Sequence, residues 1–333
     1  MKAYVLHKVN DLRYEEIVQP SCPEGWAIVK VKAAGICSSD IPRVFTKGTY
    51  HFPTIPGHEF SGIVESVGSE RDSNLIGNHV GVFPLIPCRE CSQCSEHRYE
   101  MCEHYDYIGS RRDGAFAEFV AVPVWNLISL KENIPFTSAA MLEPLSVALH
   151  AIRQGGFVEG GKVGIIGTGM IGIAAGLWAK MLKADEVTII GRSEGKRDLV
   201  ERCGLIYSVE ADDYDFVLEA VGTPESISKA ISITQPGGNL VFMGNPSGDI
   251  MLNQDTYWRI LRKQLRIFGT WNSSYDGNDR SDWTEAVDAI SKGLLNVQPL
   301  ISHCFRQDKL FEGLELMHNK KEPYCKVMTT WND

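Results

Sequence analysis

KVGIIGTGMIGIAAGLWAKML, residues 162–182, decides how the chain folds. A short apolar run of β-branched residues enters a glycine-rich turn, and from Met170 the apolar positions take up helical spacing. Gly167, Thr168, Gly169, Met170, Ile171 and Gly172 fit the pattern G-x-G-x-x-G. By itself the pattern is weak, but a strand before it and a helix after it give it a mechanism: backbone amides and a helix N-terminus hold a pyrophosphate. A bound dinucleotide is therefore expected. Downstream, DEVTIIGRS, DFVLEAVG and GNLVFMG read as strands, with EGKRDLVERCG and PESISKAISIT as helices between them. Strands alternating with helices imply an α/β, doubly wound parallel sheet.

The end of the second strand of such a unit normally carries an acidic residue for the ribose hydroxyls of NAD. Here Gly191 stands at that place, followed by Arg192 and Ser193, with Lys196 and Arg197 close behind. Loss of a carboxylate relieves repulsion of a 2′-phosphate, and a guanidinium with a hydroxyl can bind it through charge-assisted hydrogen bonds. The predicted cofactor is NADP(H) in preference to NAD(H). The alternative makes Arg192 a solvated loop residue and leaves the preference mixed.

Upstream of residue 147 the texture differs. WAIVKVKAAG, FSGIVESVG and HVGVFPLIP are short runs of β-formers punctuated by Gly, Pro and Asn, the mark of small antiparallel strands. Within this region PCRECSQCSEHRYEMC gathers Cys88, Cys91, Cys94 and Cys102. Their spacing brings four thiolates within reach of one tetrahedral ion and leaves no open position, so a structural zinc is expected, with an iron–sulfur cluster as the rival. The surrounding Arg89, Glu90, Gln93 and Glu96 make the loop too polar for core.

With 333 residues, 44% of them hydrophobic, and a net charge of −9, the chain suits a two-domain globular protein and argues against a nucleic-acid surface. No apolar run is long enough to span a bilayer. Nine cysteines, an odd number without an export signal, favour metal thiolates over disulfides and a cytoplasmic location.

GICSSD, GHEFSG and MLEPLS, in this order with the cysteine lobe and the glycine-rich turn, resemble the zinc-dependent medium-chain dehydrogenase/reductase family along essentially the whole chain. The resemblance implies a Rossmann domain over residues 148–269. It also implies a β-rich GroES-like catalytic domain over 1–147 and 270–333, with the zinc lobe at about 87–103. It makes Cys37 and His58 ligands of a catalytic zinc, Glu143 the third protein ligand or the holder of its water, and Glu59 a neighbour able to exchange into the sphere. Ser39 matches the family's proton-relay hydroxyl, and Asp40 is expected to orient the site rather than react. Two zinc ions per chain follow.

Glu143, where the alcohol dehydrogenase branch has cysteine, points to the sorbitol dehydrogenase branch, and YDYIGSRRDGAFAEF is similar to its polyol-phosphate dehydrogenases. The expected substrate is a small polyol or polyol phosphate. Arg43, Arg111 and Arg112 are the candidate phosphate contacts, since guanidinium forks match phosphate geometry. Free polyol, threonine or secondary-alcohol oxidation is the alternative, and a nucleotide-binding protein without turnover is a more distant one. No nucleic-acid or membrane partner is expected. The resemblance also implies a homodimer or homotetramer.

Overall fold

The computed structural model describes residues 1–210, 212–277 and 281–331. Two compact units divide the chain: Met1–Glu143 with Ser274–Gly293 and Leu300–Asp333, and Pro144–Ser273 with Leu294–Pro299.

In the second unit six parallel strands lie side by side in the order Ile206–Ser208, Glu186–Ile190, Lys162–Ile166, Tyr214–Glu219, Thr234–Phe242, Arg266–Gly269. This order, with the first strand central and a switch of direction beside it, is that of a dinucleotide-binding Rossmann sheet. Burial on both faces explains the unbroken apolar strands: Val163, Ile165, Val217, Leu218, Leu240 and Val241 are all fully buried. The helix Met170–Met181 follows the first strand directly, its small residues Ala174, Ala175 and Ala179 buried.

The first unit holds a seven-stranded sheet in the order Ile301–Arg306, Lys326–Thr330, Trp26–Ile36, Glu59–Val67, His79–Val82, Leu127–Ser129, with Phe119–Pro123 also pairing to Trp26–Ile36. The chain is therefore α/β, a Rossmann unit and a β-rich GroES-like unit. The strand Trp26–Ile36 is the organiser. It pairs antiparallel with Lys326–Thr330 on one side and Glu59–Val67 on the other, aligning Gly35 with both Met328 and Glu59. A sequence separation of nearly the whole chain thus closes at one point. Among the described residues, no helix is long and apolar enough to cross a membrane.

Candidate active site

The ends of those three neighbouring strands supply the site. Cys37 immediately follows Ile36, His58 immediately precedes the second strand, which Glu59 opens, and Lys326 opens the third. Donor atoms of Cys37, His58 and Glu59 lie within 4.8 Å of one another. Glycine is needed at 35 for a local reason: a Cβ there would stand 2.3 Å from Glu59 Oε2. The space it leaves lets Glu59 turn toward Lys326, whose buried ammonium donates to Glu59 Oε2 and, at 3.4 Å, to the Ile36 carbonyl.

Asp40, fully buried, ties the cysteine turn together. Its Oδ2 accepts the Cys37 N–H at 2.9 Å and its Oδ1 accepts from Arg43 Nη1 at 3.0 Å. The same carboxylate lies 3.6 Å from His58 Nδ1, which is buried and makes no hydrogen bond among the described residues. Burial pulls the His58 imidazolium down, but the Asp40 and Cys37 charges beside it carry it well above its ordinary range. Ser39 precedes the short helix Asp40–Phe45 without capping it through its side chain, and its Oγ instead accepts from Arg43 Nη1 at 3.0 Å.

Glu143, in the first turn of the helix Leu142–Gln154, lies outside the triplet of converging donors. Its Oε1 accepts from the Tyr107 hydroxyl at 3.2 Å. Burial, with Glu59 adding to it, pushes the Glu143 carboxyl up to about 7 against the pull of His58 and Lys326. Burial and the Glu143 charge likewise push the Tyr107 phenol well above its usual range, and its ring meets that of His58 edge-on at 5.7 Å. A half-buried cysteine, a buried imidazole and a buried carboxylate converging at one point form a donor set that zinc accepts. Within the site, Lys326 pairs with Glu59 and Arg43 with Asp40.

In the lobe the four sulfurs of Cys88, Cys91, Cys94 and Cys102 all lie within 4.8 Å of one another, Cys88 to Cys94 at 3.9 Å and Cys91 to Cys102 at 4.0 Å. Four sulfurs at about 2.3 Å around a tetrahedral ion stand about 3.8 Å apart. An iron–sulfur cluster places its own sulfides between the thiolates and spreads them further, so the spacing suits a single ion. Backbone N–H groups at Glu103 and Cys94 pull the Cys91 thiol down to about 6, and those at Glu90 and Cys91 lower Cys88. Burial pushes Cys94 and Cys102 up.

The glycine-rich turn is built to let a pyrophosphate approach. Gly167 has φ of 128°, which side chains avoid, and a Cβ at Gly172 would stand 2.1 Å from the Gly167 carbonyl oxygen. Gly169, the N-cap, faces open space and no side chain caps the helix, so its first amides are free for an anion.

Residues 23–132 match the family described as the alcohol dehydrogenase GroES-like domain, and residues 171–292 the zinc-binding dehydrogenase family. Galactitol 1-phosphate 5-dehydrogenase of Escherichia coli K12 is 34% identical over 319 residues, covering 91% of this chain and 92% of that protein. The chain belongs to the zinc-dependent medium-chain dehydrogenase/reductase family. Within it, the sorbitol and galactitol phosphate branch is the one it joins. The crystal structure of the E. coli galactitol-1-phosphate dehydrogenase superposes with a TM-score of 0.91 at 32% identity, covering 99% of this chain and all of that one. An E. coli CFT073 alcohol dehydrogenase complexed with NADH is 27% identical (TM-score 0.89, 99% of each chain). A Sinorhizobium meliloti 1021 zinc-binding dehydrogenase bound to NADP is 26% identical (TM-score 0.89, 99% of this chain and 98% of that one).

The other candidate residues of this dehydrogenase fall into four situations. Arg43 lies beside Ser39, its side chain 21% exposed, and is already engaged by Ser39 and Asp40. Arg111 and Arg112 are turned to other work. Arg111 is sandwiched between the Tyr50 and Tyr105 rings and donates to the Tyr105 carbonyl, whereas Arg112 pairs with Asp106 at 2.6 Å over Trp26. Both line a depression of about 520 Å³ to which none of the converging donors contributes. The structure thus gives these two arginines local partners where the sequence suggested a phosphate.

On the nucleotide side of the dehydrogenase, Arg192 and Ser193 are exposed, and among the described residues the Arg192 guanidinium has no ion pair or hydrogen bond. Arg197 differs: its guanidinium is shared by Glu194 and Glu201 and lies over the Tyr207 ring. Arg197 is therefore a brace of the loop, and its spacing in sequence could not reveal that. Sequence reasoning also missed Lys326 and Tyr107. A lysine inside the apolar strand segment CKVMTTW was the available signal for the first, because a lysine is buried only with a partner.

Proposed function

We propose that this zinc-dependent dehydrogenase oxidises one secondary hydroxyl of a polyol phosphate, galactitol 1-phosphate being the leading candidate, with NADP+ preferred to NAD+. The convergence of Cys37, His58 and Glu59 beside Ser39 and Arg43 is the observation that carries the reading. When bound, zinc supplies a Lewis acid that makes an alcohol hydroxyl acidic at neutral pH, and the nicotinamide supplies the hydride acceptor. Cys37, as thiolate, and His58, as neutral imidazole, would hold the ion, and Glu143 would serve as third donor or hold a water there. Lys326 restrains Glu59 at the edge of the sphere. Ser39 Oγ accepts the substrate's hydroxyl proton while passing its own on toward solvent, so the hydroxyl stays neutral, and the hydrogen bond from Arg43 holds that oxygen in place. Tyr107 fixes the direction of the Glu143 carboxyl, which changes charge near neutrality.

Cys88, Cys91, Cys94 and Cys102 would hold a second zinc, which would keep the lobe folded. The NADP(H) preference rests on Gly191, Arg192 and Ser193. The edge strand Arg266–Gly269, with Ile267 exposed, and the exposed Tyr257, Trp258 and Leu261 of the helix Gln254–Lys263 support pairing with a second copy as a homodimer or half of a homotetramer. That no two of the nine cysteines are joined by a disulfide among the described residues supports work in the reducing cytoplasm. A second reading, oxidation of an unphosphorylated polyol, draws support from the internal partners that Arg43, Arg111 and Arg112 already have.

Initial rates with NADP+ and NAD+ separate the two, using galactitol 1-phosphate, sorbitol 6-phosphate and the unphosphorylated parents with zinc-replete protein. Turnover confined to phosphorylated polyols with NADP+ is expected. Equal rates on the free polyols would leave the zinc chemistry standing and remove the phosphate.

A further inference from the structure

Gly191 does not sit in the left-handed region, so its backbone would accept any residue. What demands glycine is a neighbour. A Cβ at 191 would stand 1.9 Å from the Tyr207 hydroxyl oxygen, 2.6 Å from its Cζ and 2.8 Å from its Cε2. Tyr207 lies on the edge strand Ile206–Ser208, in register with Ile189, and the Gly191 N–H donates to the Ser208 carbonyl at 2.9 Å. From that strand the buried ring reaches forward under Gly191, and its hydroxyl donates to the Ser193 carbonyl. The Arg197 guanidinium lies 5.0 Å from the ring centroid, donates to the Tyr207 carbonyl at 3.3 Å, and holds Glu194 of the same loop. Tyr207 and Arg197 together pin residues 191–194 while the Arg192 side chain stays exposed.

We infer that Tyr207 is a specificity-determining positioning residue: its ring bars any acidic side chain from position 191, and its hydroxyl sets the turn that presents Arg192 and Ser193 to a ribose 2′-phosphate. The nucleotide half of this inference rests on the NADP(H) reading above; the steric half does not. Tyr207 itself needs no contact with the nucleotide. Its hydroxyl belongs to the protein side of the turn, already used by Ser193.

Two measurements test the two halves. Melting temperatures of Gly191→Ala, Tyr207→Leu and the double variant test the steric half. Overpacking against the tyrosine should lower the melting temperature of G191A by about 5 °C, and most of that loss should vanish in the Y207L background. Additive losses would overturn the steric claim. Calorimetric binding of 2′,5′-ADP and 5′-AMP tests the positioning half. Wild-type protein should favour 2′,5′-ADP, and Tyr207→Phe, which keeps the ring and the fold, should cut that ratio by about tenfold, the scale of one lost charge-assisted hydrogen-bond arrangement. Gly191→Asp in the Y207L background should turn the preference toward 5′-AMP. A Y207F ratio equal to wild type would overturn the positioning role and leave the NADP(H) reading intact. A wild-type protein that favours 5′-AMP would overturn that reading and the nucleotide half with it, and the melting cycle would still judge the steric half.

Discussion

Lys326 and Glu59 form a buried ion pair, and the Lys326 ammonium also donates to the carbonyl of Ile36, one residue before Cys37. Such a pair contributes little net stability, but breaking it leaves one charge without a partner. Lys326→Met should therefore cost about 3–5 kcal/mol, read as a lower denaturant midpoint. A variant as stable as the parent would mean that Glu59 carries no charge there. His58 gives a second prediction. Its imidazolium is held well above the ordinary range by Asp40 and Cys37, yet a metal ligand must be neutral. Protons compete with the ion, so zinc affinity should rise with pH into the neutral range and binding should release protons into buffer. Titration calorimetry in buffers of different ionisation enthalpy would register this; affinity independent of pH would rule out His58 as a ligand.

Among the elements, the parallel strands were legible because apolar runs alternate with helical periodicity, and the glycine-rich turn because its context fixes what glycine is for. The lobe was legible for a different reason: its four cysteines are close in sequence, so spacing already implies proximity. The Glu59–Lys326 pair was not, since its members are 267 residues apart and meet only through strand register. Register also hid Tyr207, which acts on Gly191 from a neighbouring strand. The lobe can be perturbed by itself. Cys91→Ser removes one of four sulfurs and should lower zinc from about two ions per chain to about one, with a lobe that is cut early by protease. A C91S chain that kept its full zinc content would show that Cys91 is not a ligand.

For the whole molecule, the edge strand Arg266–Gly269 leaves Ile267 exposed, and the helix Gln254–Lys263 before it exposes Trp258 and Leu261; on the homo-oligomer proposed above, this is the face a second copy would cover. Ile267→Asp should shift sedimentation toward the monomer, whereas an unchanged oligomer would move the interface elsewhere. The central claim is that one chain keeps two metal sites with separate duties, one for chemistry beside Cys37 and one for folding in the lobe. The most direct test measures zinc per chain, thermal stability and turnover together, for the parent and for His58→Ala. The parent should carry about two zinc ions. H58A should keep about one, remain folded, and lose at least about a thousandfold in turnover, the order expected when a catalytic metal is lost. An H58A protein that still turns over near the parental rate, or one that loses both ions at once, would contradict the account.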